Sequence, residues 1–361
     1  MRTPILVILS LLLAPFTPLA PPRPERGFSI DQLADGVYAV VRHEPPGLAT
    51  HANNVFIVND EDVMVVDTSQ SPALTREVLA ALRTITKKPV RYVINTHWHD
   101  DHAIGNQVYR EAFPDVDVIG HARTIRDLPA EGAPNRQQMV KGLPPLIARL
   151  RDAAGSGRNL EGKPITDEER SAYASDVEWA ERYVTEVPAA EVILPTIAVS
   201  DRLVLRRGTR LIDIRALGPG HSQADLIVHL PAEKIVIAGD LVIAPVPLTG
   251  LKSSIRGWAT ALDRIRALQP AVIVPGHGPI MRDEAFLAQL GGLFMSLAQQ
   301  VEASVAKGAS LEATRAAVRL DDWRRTFAGD SQLRAFLFDY YVAGPGVAAA
   351  YREATDKPSL H

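Results

Sequence analysis

Two kinds of hydrophobic pattern alternate along this chain. Val37–Val41 (VYAVV), Asn54–Val58 (NVFIV) and Val63–Asp67 (VMVVD) are short β-branched runs and predict strands. The last two flank Asn59–Asp62 (NDED), which predicts a hairpin turn. Ser71-Pro72 then opens a helix, with a capping serine and proline at the first helical position; Leu74, Val78, Leu79 and Leu82 form its apolar face. Val90–Asn95 (VRYVIN) is the next strand.

From Ala122 to Pro188 the pattern turns polar and rich in Gly, Pro and charge, and is helical where it is periodic. Thr166 with Glu169 makes a capping box that opens a helix reaching about Val187. An insertion of this length beside a strand edge serves as decoration or as a lid facing the substrate. A second β-rich half follows, with strands at Arg202–Leu205, Arg210–Leu217, Asp225–Leu230 and Lys234–Gly239, a helix over Ser254–Leu268, and a strand in Ala271–Gly278. The remainder is helical: Phe286, Leu290, Phe294, Leu297, Val301 and Val305 recur at helical spacing, most simply a helix packed on the core.

Composition adjusts this picture in three places. With 361 residues the chain can bury a large core, and its net charge of -3 offers no electrostatic footprint for nucleic acid. Cysteine is absent, so disulfides, thiolate ligands and thiol nucleophiles are excluded, and a metal site must use nitrogen and oxygen donors. The N-terminus carries Arg2, the apolar run Ile5–Ala20 interrupted by Pro15 and Pro18, and then PPRPERG. The run is shorter than a bilayer span and resembles a secretory signal peptide over residues 1–20, without a clean cleavage site. The expectation is an exported protein, periplasmic in a Gram-negative bacterium and otherwise secreted, with no stable membrane anchor after processing.

The chemistry concentrates in Asn95–Asn106, NTHWHDDHAIGN, on the end of a predicted strand. His97 and His99 are two apart, so on an extended backbone both project the same way and grip one ion. Asp101 and His102 continue into a turn and reach a neighbouring point. Zinc accepts imidazole and carboxylate ligands and, in hydrolytic sites, keeps a position for water. Three further strand-end segments carry His221 (ALGPGHSQAD), Asp240 (VIAGDLV) and His277 (VIVPGHG), each beside glycines that let the backbone turn sharply.

These segments, in this order, resemble the metallo-β-lactamase superfamily over Gly27–Arg282. The resemblance implies an α/β, four-layer αββα sandwich with a metal site at the loop edges of its two sheets. It divides the chain into the leader 1–20, a hydrolase domain 27–282 with the helical insertion 122–188, and a helical C-terminal extension 283–361. It further implies that His97, His99 and His221 hold one zinc, that Asp101, His102 and His277 hold a second, and that Asp240 bridges both, with Asp67 steadying the metal-binding loop. Asp240 stands where the best-known zinc β-lactamases carry cysteine, and a carboxylate there is similar to the glyoxalase II and lactonase branches. The Gly239–Pro247 run also resembles exported members associated with periplasmic quinoprotein or sulfur oxidation.

The implied activity is hydrolysis of an ester, lactone, lactam or thioester in a small molecule. Two zinc ions about 3.5–4 Å apart would make a bridging hydroxide available near neutral pH, and Asp101 would orient it and move its proton. β-Lactam cleavage is not the favoured native role. The alternatives are a non-catalytic metal-binding accessory protein and an iron redox member; diiron members place glutamate where His99 stands, which favours zinc. Asp100 is expected to be a solvated or capping carboxylate, Trp98 a packing or pocket-wall residue, and His121 structural. By the resemblance His51 lies on a loop that often borders the pocket, which leaves a substrate role open, and His43, His229 and His361 are expected to be structural or incidental.

Overall fold

The computed structural model describes residues 27–250 and 252–356; the leader and His361 lie outside them. Among the described residues there are twelve strands: β1 (Phe28–Ala34), β2 (Val37–Arg42), β3 (Asn54–Val58), β4 (Val63–Val66), β5 (Val90–Ile94), β6 (Asp117–His121), β7 (Ile197–Val199), β8 (Arg202–Arg207), β9 (Arg210–Ala216), β10 (Leu226–Leu230), β11 (Ile235–Ile243) and β12 (Val272–His277). They form one sheet in the order β1-β2-β3-β4-β5-β6-β7 and a second in the order β12-β11-β10-β9-β8. In the first sheet β1 to β4 pair antiparallel and β4 to β7 pair parallel. In the second only β11 and β12 are parallel.

The period-2 alternation of each strand decides which layer its side chains enter. Val55 and Ile57 of β3, Met64 and Val66 of β4, Val228 of β10 and Val274 of β12 meet in the core between the sheets. The opposite faces bury outward: Phe56, Val63 and Val65 pack beneath helix α1 (Pro72–Ile85), whose Val78, Leu79 and Leu82 are buried as the sequence pattern predicts. Ser71 caps α1 by accepting from the Leu74 amide. Ile227, Val236 and Ile273 of the second sheet pack under the C-terminal helices. Two sheets with helices on both outer faces are the αββα arrangement, as expected.

The remaining helices follow from local signals and packing. Asp100–Ala103 (α2) and Asn106–Ala112 (α3) follow the His-rich loop, and Thr124–Asp127 (α4) runs through a π-helical turn into Ala133–Ser156 (α5). The capping box predicted at Thr166 and Glu169 opens α6 (Asp167–Glu186). Ser254 caps α7 (Ile255–Arg266), and Trp258 of α7 stacks on Phe294 of α8 (Ala285–Val305) with ring centroids 4.4 Å apart. The apolar stripe of α8 is thus core, as its spacing suggested. Then come α9 (Leu311–Ala317), α10 (Asp321–Ala328), α11 (Gln332–Phe338) and α12 (Gly344–Thr355). No helix of the described residues is long and apolar enough to cross a membrane.

The topology brings one set of strand ends together. β4, β5, β11 and β12 are tied by parallel pairs within their sheets, and β10 runs antiparallel to β11, so the segment entering β10 lies at the edge where β11 ends. Backbone bonds sew the two sheets together there: the Leu226 amide donates to Thr96 O at 2.7 Å, and the Asn53 amide donates to Gly276 O at 2.8 Å. Asn53 Nδ2 donates to Pro275 O and Gly278 O as well.

Candidate metal centre

All seven predicted donors converge at this sewn edge. One group comprises His97, His99, His221 and Asp240, and the other Asp101, His102 and His277; within each group the donor atoms lie within 4.8 Å of one another. Asp240 sits between the groups. Its Oδ2 is 3.7 Å from His97 Nε2 and 3.4 Å from His221 Nε2, while its Oδ1 is 3.2 Å from His102 Nε2 and 3.4 Å from His277 Nε2. One carboxylate thus presents an oxygen to each group, the geometry of a bridging ligand. Asp101 Oδ2 approaches His277 Nε2 at 3.2 Å and His102 Nε2 at 3.4 Å.

Backbone geometry makes these approaches possible. Gly276, preceding His277, lies so close to Asp240 that any side chain there would collide with the carboxylate. Asp67 has φ 57°, a left-handed conformation that aspartate tolerates better than most residues. That turn aims its carboxylate back at the His-rich loop. Oδ1 accepts from the Thr96 amide at 2.8 Å, and Oδ2 accepts from Thr96 Oγ1 and meets His102 Nδ1, both at 2.8 Å. Thr96 is a supporting residue the sequence did not single out.

The outer hydrogen bonds fix which nitrogen each imidazole offers. His221 Nδ1 faces the Leu248 carbonyl at 3.1 Å, and His277 Nδ1 faces the His51 carbonyl at 3.1 Å. A carbonyl only accepts, so both Nδ1 atoms carry hydrogen, and it is Nε2 that each neutral ring would turn inward as the donor to a cation, the second proton leaving as the cation binds. Asp67 does the same for His102. Thr96 Oγ1 donates to Asp67, so His97 Nδ1, 3.2 Å from that oxygen, donates to it and leaves Nε2 as an acceptor. The inward nitrogens are crowded: His99 Nδ1 lies 2.9 Å from His97 Nε2 and 3.0 Å from His221 Nε2. One Nδ1 hydrogen cannot serve both neighbours. Asp240 Oδ1 and His102 Nε2, although adjacent, have no hydrogen-bond partner. Converging lone pairs with two orphaned buried donor atoms fit cations.

The electrostatics agree. Burial disfavours charge on His97, and neighbouring His102 and His99 add to this, holding it well below the usual histidine range. Burial also opposes charge on His102 and His277, but Asp240 and Asp101 outweigh it, carrying His102 well up and His277 up to about 10. Burial would raise Asp240 and Asp101, yet the surrounding imidazoles hold both well below the carboxylate range. The centre stabilises anionic carboxylates only through adjacent positive charge, a place that cations take when they bind.

The other sequence candidates have different places. Asp100 belongs to neither group, but it is not solvated, and this corrects the expectation. It accepts from Arg136 Nε of α5 at 3.0 and 3.2 Å and from Tyr183 Oη of α6 at 2.5 Å. The insertion folds over it. Trp98 meets His99 edge-on at 4.4 Å. His121 accepts from the Arg123 amide, and His43 is exposed. His51 serves through its carbonyl.

Above the centre lies a cleft of about 570 Å³. Its floor includes His99 and Asp101, and its walls include Leu48, Met139, Leu143, Trp179 and Val246. The segment after β2, the 122–188 insertion and the segment after β11 all contribute. A fourth contributor was missed: Leu337, Tyr340 and Tyr341 of the C-terminal extension close the far side. Asp176 of α6 ties the walls together by accepting from the Leu48 and Ala49 amides at 3.1 and 3.0 Å. Tyr183 was also missed, though the Trp179–Tyr183 spacing, one helical turn, was a readable signal; the rings stack at 5.1 Å.

Fold and site together define an αββα sandwich with a candidate two-cation centre at the joined edge of its sheets. The metallo-beta-lactamase superfamily profile matches residues 48–277, well over half of the sequence, and the chain belongs to that superfamily. Hydrolases are prominent among its members. The chain is 24% identical over 230 residues to a linear primary-alkylsulfatase from Pseudomonas sp., covering 60% of this chain and 40% of that protein. It is 22% identical over 255 residues to the beta-lactamase-like protein 2 homolog of Caenorhabditis elegans, covering 70% and 64%. The chain therefore spans less than two thirds of either relative's length. Among solved structures, the sec-alkylsulfatase Pisa1 from Pseudomonas sp. superposes with a TM-score of 0.63 at 16% identity, over 91% of this chain and 50% of that one. The metallo-beta-lactamase FIM-1 from Pseudomonas aeruginosa, in its mono-zinc form, gives 0.50 at 19% identity over 75% and 98%. These likenesses confirm the fold.

Proposed function

We propose that this chain is an exported hydrolase that binds two zinc ions and cleaves an ester, lactone, lactam or thioester bond in a small molecule with a substantial apolar part. The observation that carries the proposal is the place of the donors, at the floor of an apolar cleft. The composition of residues 1–20 supports export. Bound at the two groups, zinc supplies Lewis acidity and makes water acidic enough to act as a nucleophile near neutral pH. Everything else falls to the chain. The apolar walls bind the substrate and keep solvent from its chain, so that its carbonyl arrives over His99 and Asp101. Asp101, partly exposed on the cleft floor, is placed to accept a proton from attacking water and return it to the leaving group.

No lysine or arginine lines this cleft among the described residues. Asp240, standing where the best-known zinc β-lactamases carry cysteine, disfavours β-lactam antibiotics as native substrates. Hydrolysis of an alkyl sulfate is a second reading, favoured by the alkylsulfatase relatives and by the same apolar walls. The test is zinc-loaded protein on matched esters, lactones, thioesters, β-lactams and alkyl sulfates. Turnover of a carbonyl substrate is expected. Turnover of alkyl sulfates alone would establish the second reading, and no turnover by protein holding two zinc ions would leave a non-catalytic role.

A further inference from the structure

A second cavity, of about 560 Å³, opens beside the same centre. His99 and His221 border both cavities, so the candidate centre lies between them. Their linings differ in charge. The first has no lysine or arginine among its described residues, whereas the second is bordered by Arg123, Lys252 and Arg352.

Two carboxylates share the second cavity, and both are engaged. Asp127 pairs with Arg126 at 2.7 Å and Arg123 at 3.8 Å, and Glu131 pairs with Lys252 at 2.5 Å. Arg352 forms no ion pair among the described residues. Its guanidinium donates to the Ser253 carbonyl at 2.9 Å, and Ser253 Oγ donates to the His221 carbonyl at 2.7 Å. Among the described residues this guanidinium of α12 thus has no carboxylate partner and is fastened to the loop that supports a donor of the centre. Such a cation calls for an anionic partner.

We propose that the substrate is an amphiphile broken in its middle, with an apolar acyl chain in the first cavity and an anionic leaving group in the second, recognised by Arg352. This rests on the hydrolase reading. In the reaction, water adds to the acyl carbon and the bond from that carbon to the oxygen or sulfur of the leaving group breaks. The acyl product keeps the water oxygen as a carboxylic acid, and the leaving group departs with a proton as an alcohol or thiol. The product acid stays on the apolar side and the anionic fragment leaves through the basic side.

The experiment uses full-length zinc-loaded protein and two dodecanoyl thioesters that differ only in the thiol, one bearing a carboxylate and one a neutral amide. The wild-type protein should favour the anionic thioester by about tenfold in kcat/KM, equivalent to ~1.4 kcal/mol. That ratio should fall toward one in Arg352→Gln, mainly through KM. Should Arg352→Gln fold poorly, the wild-type ratio measured from low salt to about 0.5 M supplies the same test, because screening weakens an exposed charge contact. A ratio near one, or one unchanged by both the substitution and salt, overturns the amphiphile inference while the hydrolase reading stands. No turnover of either thioester, or of any other substrate class, overturns both.

Discussion

The floor and the walls of the cleft are built on different principles. On the floor, the donors come from β11, the end of β12, the loop before β10 and the loop after β5 that runs into α2, and four of the five imidazoles are oriented by a hydrogen bond from the ring nitrogen facing away from the centre. The walls are helices and loops from four separate parts of the chain. A few long-range polar contacts hold them: Asp100 to Arg136 and Tyr183, Asp176 to the Leu48 and Ala49 amides, and Tyr341 Oη to Leu48 O. The floor therefore sets the chemistry, and the walls can vary in selectivity without disturbing it.

Substitutions should separate the two. The largest effect is expected on the floor: His97→Ala should lose one ion per chain and lower kcat/KM by roughly a thousandfold or more, checked by metal analysis beside steady-state kinetics. Asp67→Asn acts one step further out. It weakens the hold on His102 and the Thr96 backbone, so zinc affinity measured by chelator competition should fall about 10–100-fold.

On the walls, metal content should not follow. Asp100→Asn keeps the shape of the side chain but removes the charge paired with partly buried Arg136. It should destabilise by about 3 kcal/mol in thermal or denaturant unfolding and raise KM, while metal content stays near two per chain. Equal metal loss in Asp100→Asn and His97→Ala would erase the distinction between floor and wall.

A last contrast is one of pH. Burial pushes Asp176 up to about 6, against the pull of its two backbone hydrogen bonds. An acid raised on folding binds more protons in the folded state than in the unfolded one, where its pKa is near 3.9. Its contribution is therefore favourable at low pH and is lost as pH rises from about 4 to about 6, by up to about 3 kcal/mol. Asp176→Asn removes that dependence, so the stability of the variant relative to wild type should be more favourable at pH 7.5 than at pH 4.5.

The same contrast explains what could be read in advance. The inner strands announce themselves as β-branched runs because both their faces are buried, and the seven donors stand in four short segments beside those strands. β1 went unnoticed because Phe28–Ala34, an edge strand, mixes Asp31 and Gln32 with its apolar residues. α5 is masked by Gly142, Pro144 and Pro145, which read as breakers; the helix continues through them with Leu143, Ile147 and Leu150 buried. The role of Asp100 was illegible for another reason. Its partners lie 36 and 83 residues away, and nothing local marks a contact of that kind. The contribution of Tyr340 and Leu337 to the cleft is equally remote in sequence.

Asp240 joins the two donor groups into one candidate two-ion centre. The most direct test of this is zinc titration of metal-stripped wild-type protein, with bound metal counted by mass spectrometry at each addition. Saturation at two ions per chain is expected, falling below two in Asp240→Ala under the same conditions. Saturation of the wild type at one ion or none, or an Asp240→Ala variant that still holds two with undiminished affinity, would contradict it.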